Sequence, residues 1–115
     1  MDHICLVVPI LPGKAEDTRA FQRDLDTTRK ADYDRSERRI GITKEYWFIA
    51  AVGDSEQLVA YMESEDFNRA LGMFVASQDE FDVWFKRWLA EVTGLDMNNL
   101  PPDMQLPELV SSYEA

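Results

Sequence analysis

"KEYWFIAAVGDSEQLVAYMES", residues 44–64, decides the fold. Residues 44–53 and 57–64 are rich in β-branched and aromatic side chains. Between them lies "GDSE", turn chemistry of the kind that joins two antiparallel strands into a hairpin. Within the first strand Glu45, Trp47 and Ile49 alternate with Tyr46, Phe48 and Ala50; within the second, Val59, Tyr61 and Glu63 alternate with Leu58, Ala60 and Met62. Side chains in a strand point to opposite faces in turn, so each set belongs to one side of a sheet.

Upstream, "HICLVVP" (3–9) is a continuous apolar run ended by proline and reads as a buried strand. From Lys14 to about Lys30, Thr18, Phe21, Leu25 and Thr28 recur at spacings of three and four, the signature of one helix face. "ADYDRSERRIG" (31–41) has acids early, Arg38 and Arg39 late, and Gly41 past the end, which suits the dipole and C-cap of a short second helix; Asp34 and Arg38 are four apart.

Downstream, a helix is expected from near Asp66, with Phe67, Ala70, Leu71, Phe74 and Val75 as its stripe. "SQDE" (77–80) has the spacing of a capping box and opens another, in which Phe81, Trp84, Phe85, Trp88, Leu89 and Val92 form one face and Gly94 ends the helix. Residues 95–107 hold three prolines and little periodicity. "PELVSSYEA" has Leu109, Ser111 and Tyr113 on one side of a possible last strand over 108–114.

The order β, α, α, β, β, α, α, β predicts an α+β domain spanning residues 1–115: a ferredoxin-like βαββαβ antiparallel sheet with helices on one face and an extra helix. Such a sheet leaves its second face bare, and strand 1 is apolar on both, with Ile4, Leu6 and Val8 on one side and Cys5 and Val7 on the other. Two sheets packed face to face would cover it and, if curved into a barrel, enclose a cavity.

Composition narrows the functions. The 115 residues are 45% hydrophobic and 30% charged, which suits a packed domain. The formal net charge is -10, against general binding to nucleic acid or anionic membrane. Residues 1–44 carry nine Lys/Arg against eight Asp/Glu and residues 45–115 three against fourteen, so only the opening stretch offers local positive charge. A single cysteine, Cys5, permits no intrachain disulfide; with no signal peptide in the apolar start, a cytoplasmic location is expected.

"HICLVVPILPGK", "DYDRSERRIGITKEYWF" and "SQDEFDVWFKRWLAEVTGLD" together resemble the dimeric α/β-barrel superfamily, most closely a small group of bacterial proteins without an assigned activity. The likeness covers most of the chain but contains no catalytic motif. It implies the fold and a homodimer. The superfamily's members include cofactor-free monooxygenases, haem-binding enzymes and stress-responsive proteins, so it does not imply one chemistry.

The candidate catalytic residues are His3, Tyr61 and Glu63, placed toward the barrel interior: a histidine and an acid as bases, a tyrosine as polar anchor. Cys5 and Trp47 are expected to line the same cavity, and Arg38 and Arg39, with Arg35, to hold a carboxylate at its mouth. Each has a structural alternative: a small buried hydrophobe for Cys5, dimer core for the aromatics, helix-end charges for the arginines. A lone histidine and a lone cysteine do not supply a zinc site, and neither a Gly-rich phosphate loop nor a Ser–His–Asp set is present, so no cofactor or metal is expected.

The resulting expectation is a homodimer binding a small apolar or aromatic molecule, as a cofactor-independent monooxygenase- or cyclase-like enzyme would. The alternative is a non-catalytic, stress-associated or structural dimer whose core is filled by its own side chains. A third possibility, haem ligated by His3, has no support in the flanking residues.

Overall fold

The structure, a computed structural model, describes all 115 residues, Met1–Ala115. Seven elements follow in order: β1 (Asp2–Pro9), α1 (Ala15–Asp26), α2 (Lys30–Ile40), β2 (Ile42–Val52), β3 (Ser55–Ser64), α3 (Phe67–Ala76) and α4 (Glu80–Thr93). The fold is α+β, a three-stranded antiparallel sheet with strand order β1-β3-β2 and four helices.

The hairpin closes through Gly53 and Asp54, with Val52 opposite Ser55 and Gly53 at φ 60°. Glycine adopts that conformation at little cost, which lets two residues reverse the chain. Tyr46 then pairs with Tyr61 and Phe48 with Val59, while on the other side of β3 Cys5 pairs with Tyr61 and Leu6 with Ala60. A bulge between Ile42 and Lys44 shifts the phase of β2. Because of it Ile42 enters the core although Lys44, two residues on, faces out.

The register settles the two faces. Leu6 and Val8, Leu58, Ala60 and Met62, and the half-buried Ile4, Trp47 and Ile49 share the side covered by the helices. There they meet Phe21 and Leu25 of α1, Ile40 of α2, Phe67 and Ala70 of α3, and Phe81, Phe85 and Leu89 of α4. Phe21 is the aromatic hub: it packs edge-on to Phe85 at 5.3 Å and Trp84 at 5.5 Å and stacks on Trp88 at 6.0 Å between ring centroids. The α4 aromatic stripe is therefore core, as its spacing predicts.

Helix ends follow local chemistry. Gly41 and Gly94 sit at φ 94° and 78° and cap α2 and α4, as expected. α1 stops at Asp26, earlier than its periodicity suggests, and Thr28 is exposed in the turn before α2. The capping box expected at "SQDE" is not formed. Asp79 caps α4 by accepting from the Phe81 N–H at 3.1 Å, and Ser77 instead closes α3 and donates to Asp82 at 2.6 Å.

The strand expected over 108–114 is also absent. Residues 105–115 form no regular element, and Leu109, Val110 and Tyr113 are exposed. Three apolar side chains scattered among polar ones offer too little burial to order a strand, so the outer edge of β1 has no neighbour within the chain.

One polar knot joins the helices. Asp82 is fully buried and accepts hydrogen bonds from Ser36 and Arg39 of α2 and from Ser77. Beside it the buried Lys86 donates to the carbonyls of Val75 and Ser77 at 3.0 and 2.9 Å, satisfying the end of α3. Asp82→Ala would strand three donors around a hole and is expected to destabilise by roughly 3 kcal/mol in urea denaturation, the low end for breaking a buried pair because Arg39 is partly hydrated. Arg38→Ala, which removes only an exposed bond to Asp34, should shift stability by less than about 0.5 kcal/mol.

Candidate functional site

Two groups of polar side chains stand on opposite faces of the sheet. On the open face, β1 contributes His3 and Cys5, β3 contributes Tyr61 and Glu63, and β2 contributes Lys44, Tyr46 and Phe48. The Tyr61 hydroxyl donates to Glu63 Oε2 at 2.7 Å and lies 2.8 Å from His3 Nδ1. With its only proton given to Glu63, Tyr61 must accept from His3 Nδ1–H. The neutral imidazole is left with its lone pair on Nε2, facing away from the relay. Burial is not the main influence on Tyr61: the bond to Glu63 raises its pKa first, followed by desolvation. The rings of His3, Tyr61 and Tyr46 stack in a row across the three strands, with centroids 6.3 and 6.4 Å apart.

Around this relay the face is apolar and uncovered. Val7, Tyr46, Phe48 and Val52 are 45–59% exposed, with half-buried Cys5 and Val59 between them. The three expected catalytic residues, His3, Tyr61 and Glu63, are thus brought together, and Cys5 joins them.

Trp47 does not. Its parity in β2 places it on the helix-covered face, where its ring packs 5.8 Å from Phe85. Strand alternation separates two sets of residues without saying which set meets the helices, and β2 offers aromatics to both. Tyr46 and Phe48 occupy the positions expected of Trp47. Arg38 and Arg39 lie on α2, on the helix side of the sheet, and are engaged there: Arg38 with Asp34 at 3.0 Å, Arg39 with Asp82 and Ser77. Arg35 is likewise paired with Asp32 at 3.1 Å. These arginines hold helices rather than a ligand's carboxylate on the open face.

The second group was not anticipated. Behind Trp47, between the sheet and the helices, is a cavity of about 220 Å³. Leu6, Met62, Phe67, Leu71, Phe74 and Phe85 make most of its wall, and Glu37 and Glu45 are its only ionisable groups. Glu45 Oε2 accepts from the Tyr33 hydroxyl and from Trp47 Nε1, the latter at 3.1 Å. Glu37 stands with Glu45 in the cavity lining, and after desolvation the neighbouring acid is the next influence that raises the Glu37 pKa. Glu37 Oε2 is buried and has no donor partner. Desolvation is the largest influence on both acids and raises both pKa values; donors from Tyr33, Trp47 and Glu37 partly oppose it at Glu45. Glu37, its pKa pushed up to about 10 by burial, therefore keeps its proton at neutral pH. Tyr33, buried beside a carboxylate, is held neutral. The sequence does carry a signal for this group: Tyr33, Glu37 and Ile40 share helical spacing, and Glu45 has the same strand parity as Trp47 and Ile49.

No group of His, Cys, Asp and Glu is placed to hold a metal ion, and no helix is long and apolar enough to cross a membrane. Family models, curated proteins and solved structures were compared with the chain, and none matches it.

The acid pair has a consequence for stability. A carboxyl whose folded pKa is raised stays protonated while its unfolded counterpart ionises above about 4.5, so the unfolded state binds fewer protons and stability falls as pH rises. Glu37→Gln removes this proton exchange. In urea denaturation between pH 5 and 7 the variant is expected to gain on the native chain as pH rises, by at most about 1.4 kcal/mol per pH unit. Parallel stability profiles would show that Glu37 is ionised in the fold.

Proposed function

We propose that the chain is a ferredoxin-like homodimer of the dimeric α/β-barrel kind, in which two open sheet faces oppose each other and enclose a small apolar or aromatic molecule. The observation that carries this reading is the His3–Tyr61–Glu63 relay set among exposed apolar side chains on the open face. An apolar sheet face in water is unfavourable, and a second copy presents the same face for self-complementary burial.

The relay suits proton abstraction from an acidic C–H or phenol of the bound molecule. His3 Nε2 takes the proton, and the imidazolium so formed is stabilised through Tyr61 by the carboxylate of Glu63. Lys44 Nζ, 4.0 Å from Glu63, tempers that charge. Removing a proton from an electron-rich aromatic is the opening step that a cofactor-independent monooxygenase or a cyclase needs, and the apolar wall of Tyr46, Phe48 and Val7 would keep competing water away.

Native mass spectrometry of the protein purified from cells tests this. A dimer carrying a small-molecule adduct is expected, and Phe48→Asp, which puts a charge in the proposed interface, should convert it to monomer. A bare dimer would favour a non-catalytic dimer with a filled core. A monomer at micromolar concentration would end the barrel reading and the enclosure of the relay with it.

A further inference from the structure

The cavity behind Trp47 is independent of the open face, and nothing in the proposed dimer uses it. Its capacity is that of a small organic molecule: about 150 Å³ accepts a benzene ring in a protein interior, and this cavity holds about 220 Å³. Its outer wall is the segment after α4, where Met97, Leu100 and Met104 lie over the opening. All backbone and side-chain hydrogen bonds of residues 95–106 are local, such as Asn99 N–H to Asp96 and Met104 N–H to Pro101. Apolar contact alone holds this wall against the rest of the fold, so a ligand can enter without breaking a hydrogen bond to the sheet.

The polar end of the cavity selects the ligand's charge. No Lys, Arg or His lines it. Three nearby arginines are engaged elsewhere, Arg29 with Glu80, Arg35 with Asp32 and Arg39 with Asp82. An anionic ligand would meet Glu45 and find no counter-charge. A cation would find two acids and could displace the proton of Glu37.

We propose that this cavity is a binding site for a small apolar amine, with its ring or alkyl tail against Phe67, Phe74 and Phe85 and its ammonium between Glu37 and Glu45. Binding replaces the proton of Glu37: the ammonium enters, Glu37 ionises, and one proton leaves to solvent. The cavity's net charge is the same before and after. The exchange avoids burying a second uncompensated charge, and Tyr33 and Trp47 keep Glu45 fixed throughout.

The test is calorimetric titration of the full chain with 2-phenylethylamine, and with 2-phenylethanol and phenylacetate as neutral and anionic matches. The amine is expected to bind with release of close to one proton, read from the difference between buffers of unlike ionisation enthalpy. Its affinity should rise up to tenfold per pH unit between pH 5 and 7. Glu37→Gln should abolish both the proton release and the pH dependence. Met104→Trp, on the outer wall and away from the acids, should weaken binding at least tenfold by filling the opening. Equal affinity for the alcohol, binding without proton release, or no binding of the amine would each overturn the proposal. A monomeric protein that still binds the amine would leave this site standing while the barrel falls.

Discussion

The central strand β3 is the constraint on which both sites depend. It alone pairs on two sides, with β1 and with β2, and its alternation sets theirs. Leu58, Ala60 and Met62 turn to the helices and are almost completely buried. Val59, Tyr61 and Glu63 turn the other way and bring His3 and Tyr46 into line. A slip of one residue would send Tyr61 and Glu63 into the core and lift Ala60 and Met62 into water, so hydrophobic burial enforces the register that builds the relay. The bulge at residues 42–44 does the same for β2, reconciling a buried Ile42 with an outward Lys44.

Two acids at adjacent positions of the sheet but on opposite faces illustrate what environment does to one functional group. Glu63 stands at the open face within reach of Lys44 and receives the Tyr61 hydroxyl. Glu45 stands on the opposite face with no cation near, and relies on neutral donors and on a partner acid that keeps its own proton. The distribution of basic residues explains the difference. Most of the Lys and Arg lie in residues 1–44, and there most are engaged in ion pairs such as Arg19 with Glu16 and Lys14 with Glu91. In this chain of net charge -10, no Lys, Arg or His lines the cavity.

Much of the fold was legible because it rests on local rules. Periodicity marked four helices and three strands, glycines marked two C-caps, and the aromatic spacing of α4 marked the core. What was not legible depended on tertiary choices. Alternation in β2 gave two faces with aromatics on each, and only the docking of helices decided that Trp47 is core and Phe48 is not. Ser77 matched a cap by spacing, but Asp79 lay nearer the helix start and Asp82 was buried where it needed the Ser77 hydroxyl. The tail over 108–114 had strand-like alternation without enough apolar surface to hold it. His3, Tyr61 and Glu63 were found by residue type and strand parity; Glu37 and Glu45 were overlooked because charged residues on a helix and a strand are ordinarily solvated.

The cavity and its acid pair run against the forces that shape the rest of the molecule. Were it fully enclosed, a cavity of about 220 Å³ would cost up to about 5 kcal/mol at the rate found for truncated cores, and its opening to solvent reduces that. A carboxyl kept protonated well above its ordinary range is a second cost, since the unfolded chain would ionise it freely. The helices have other anchors: Phe21 packs against Trp84 and Trp88 of α4, and the Asp82 knot ties α4 to α2. A leucine or methionine at either acid position would fill space and remove a buried acid together. Where a domain of 115 residues departs from both packing and polar satisfaction at one place, the departure points to a ligand that restores both.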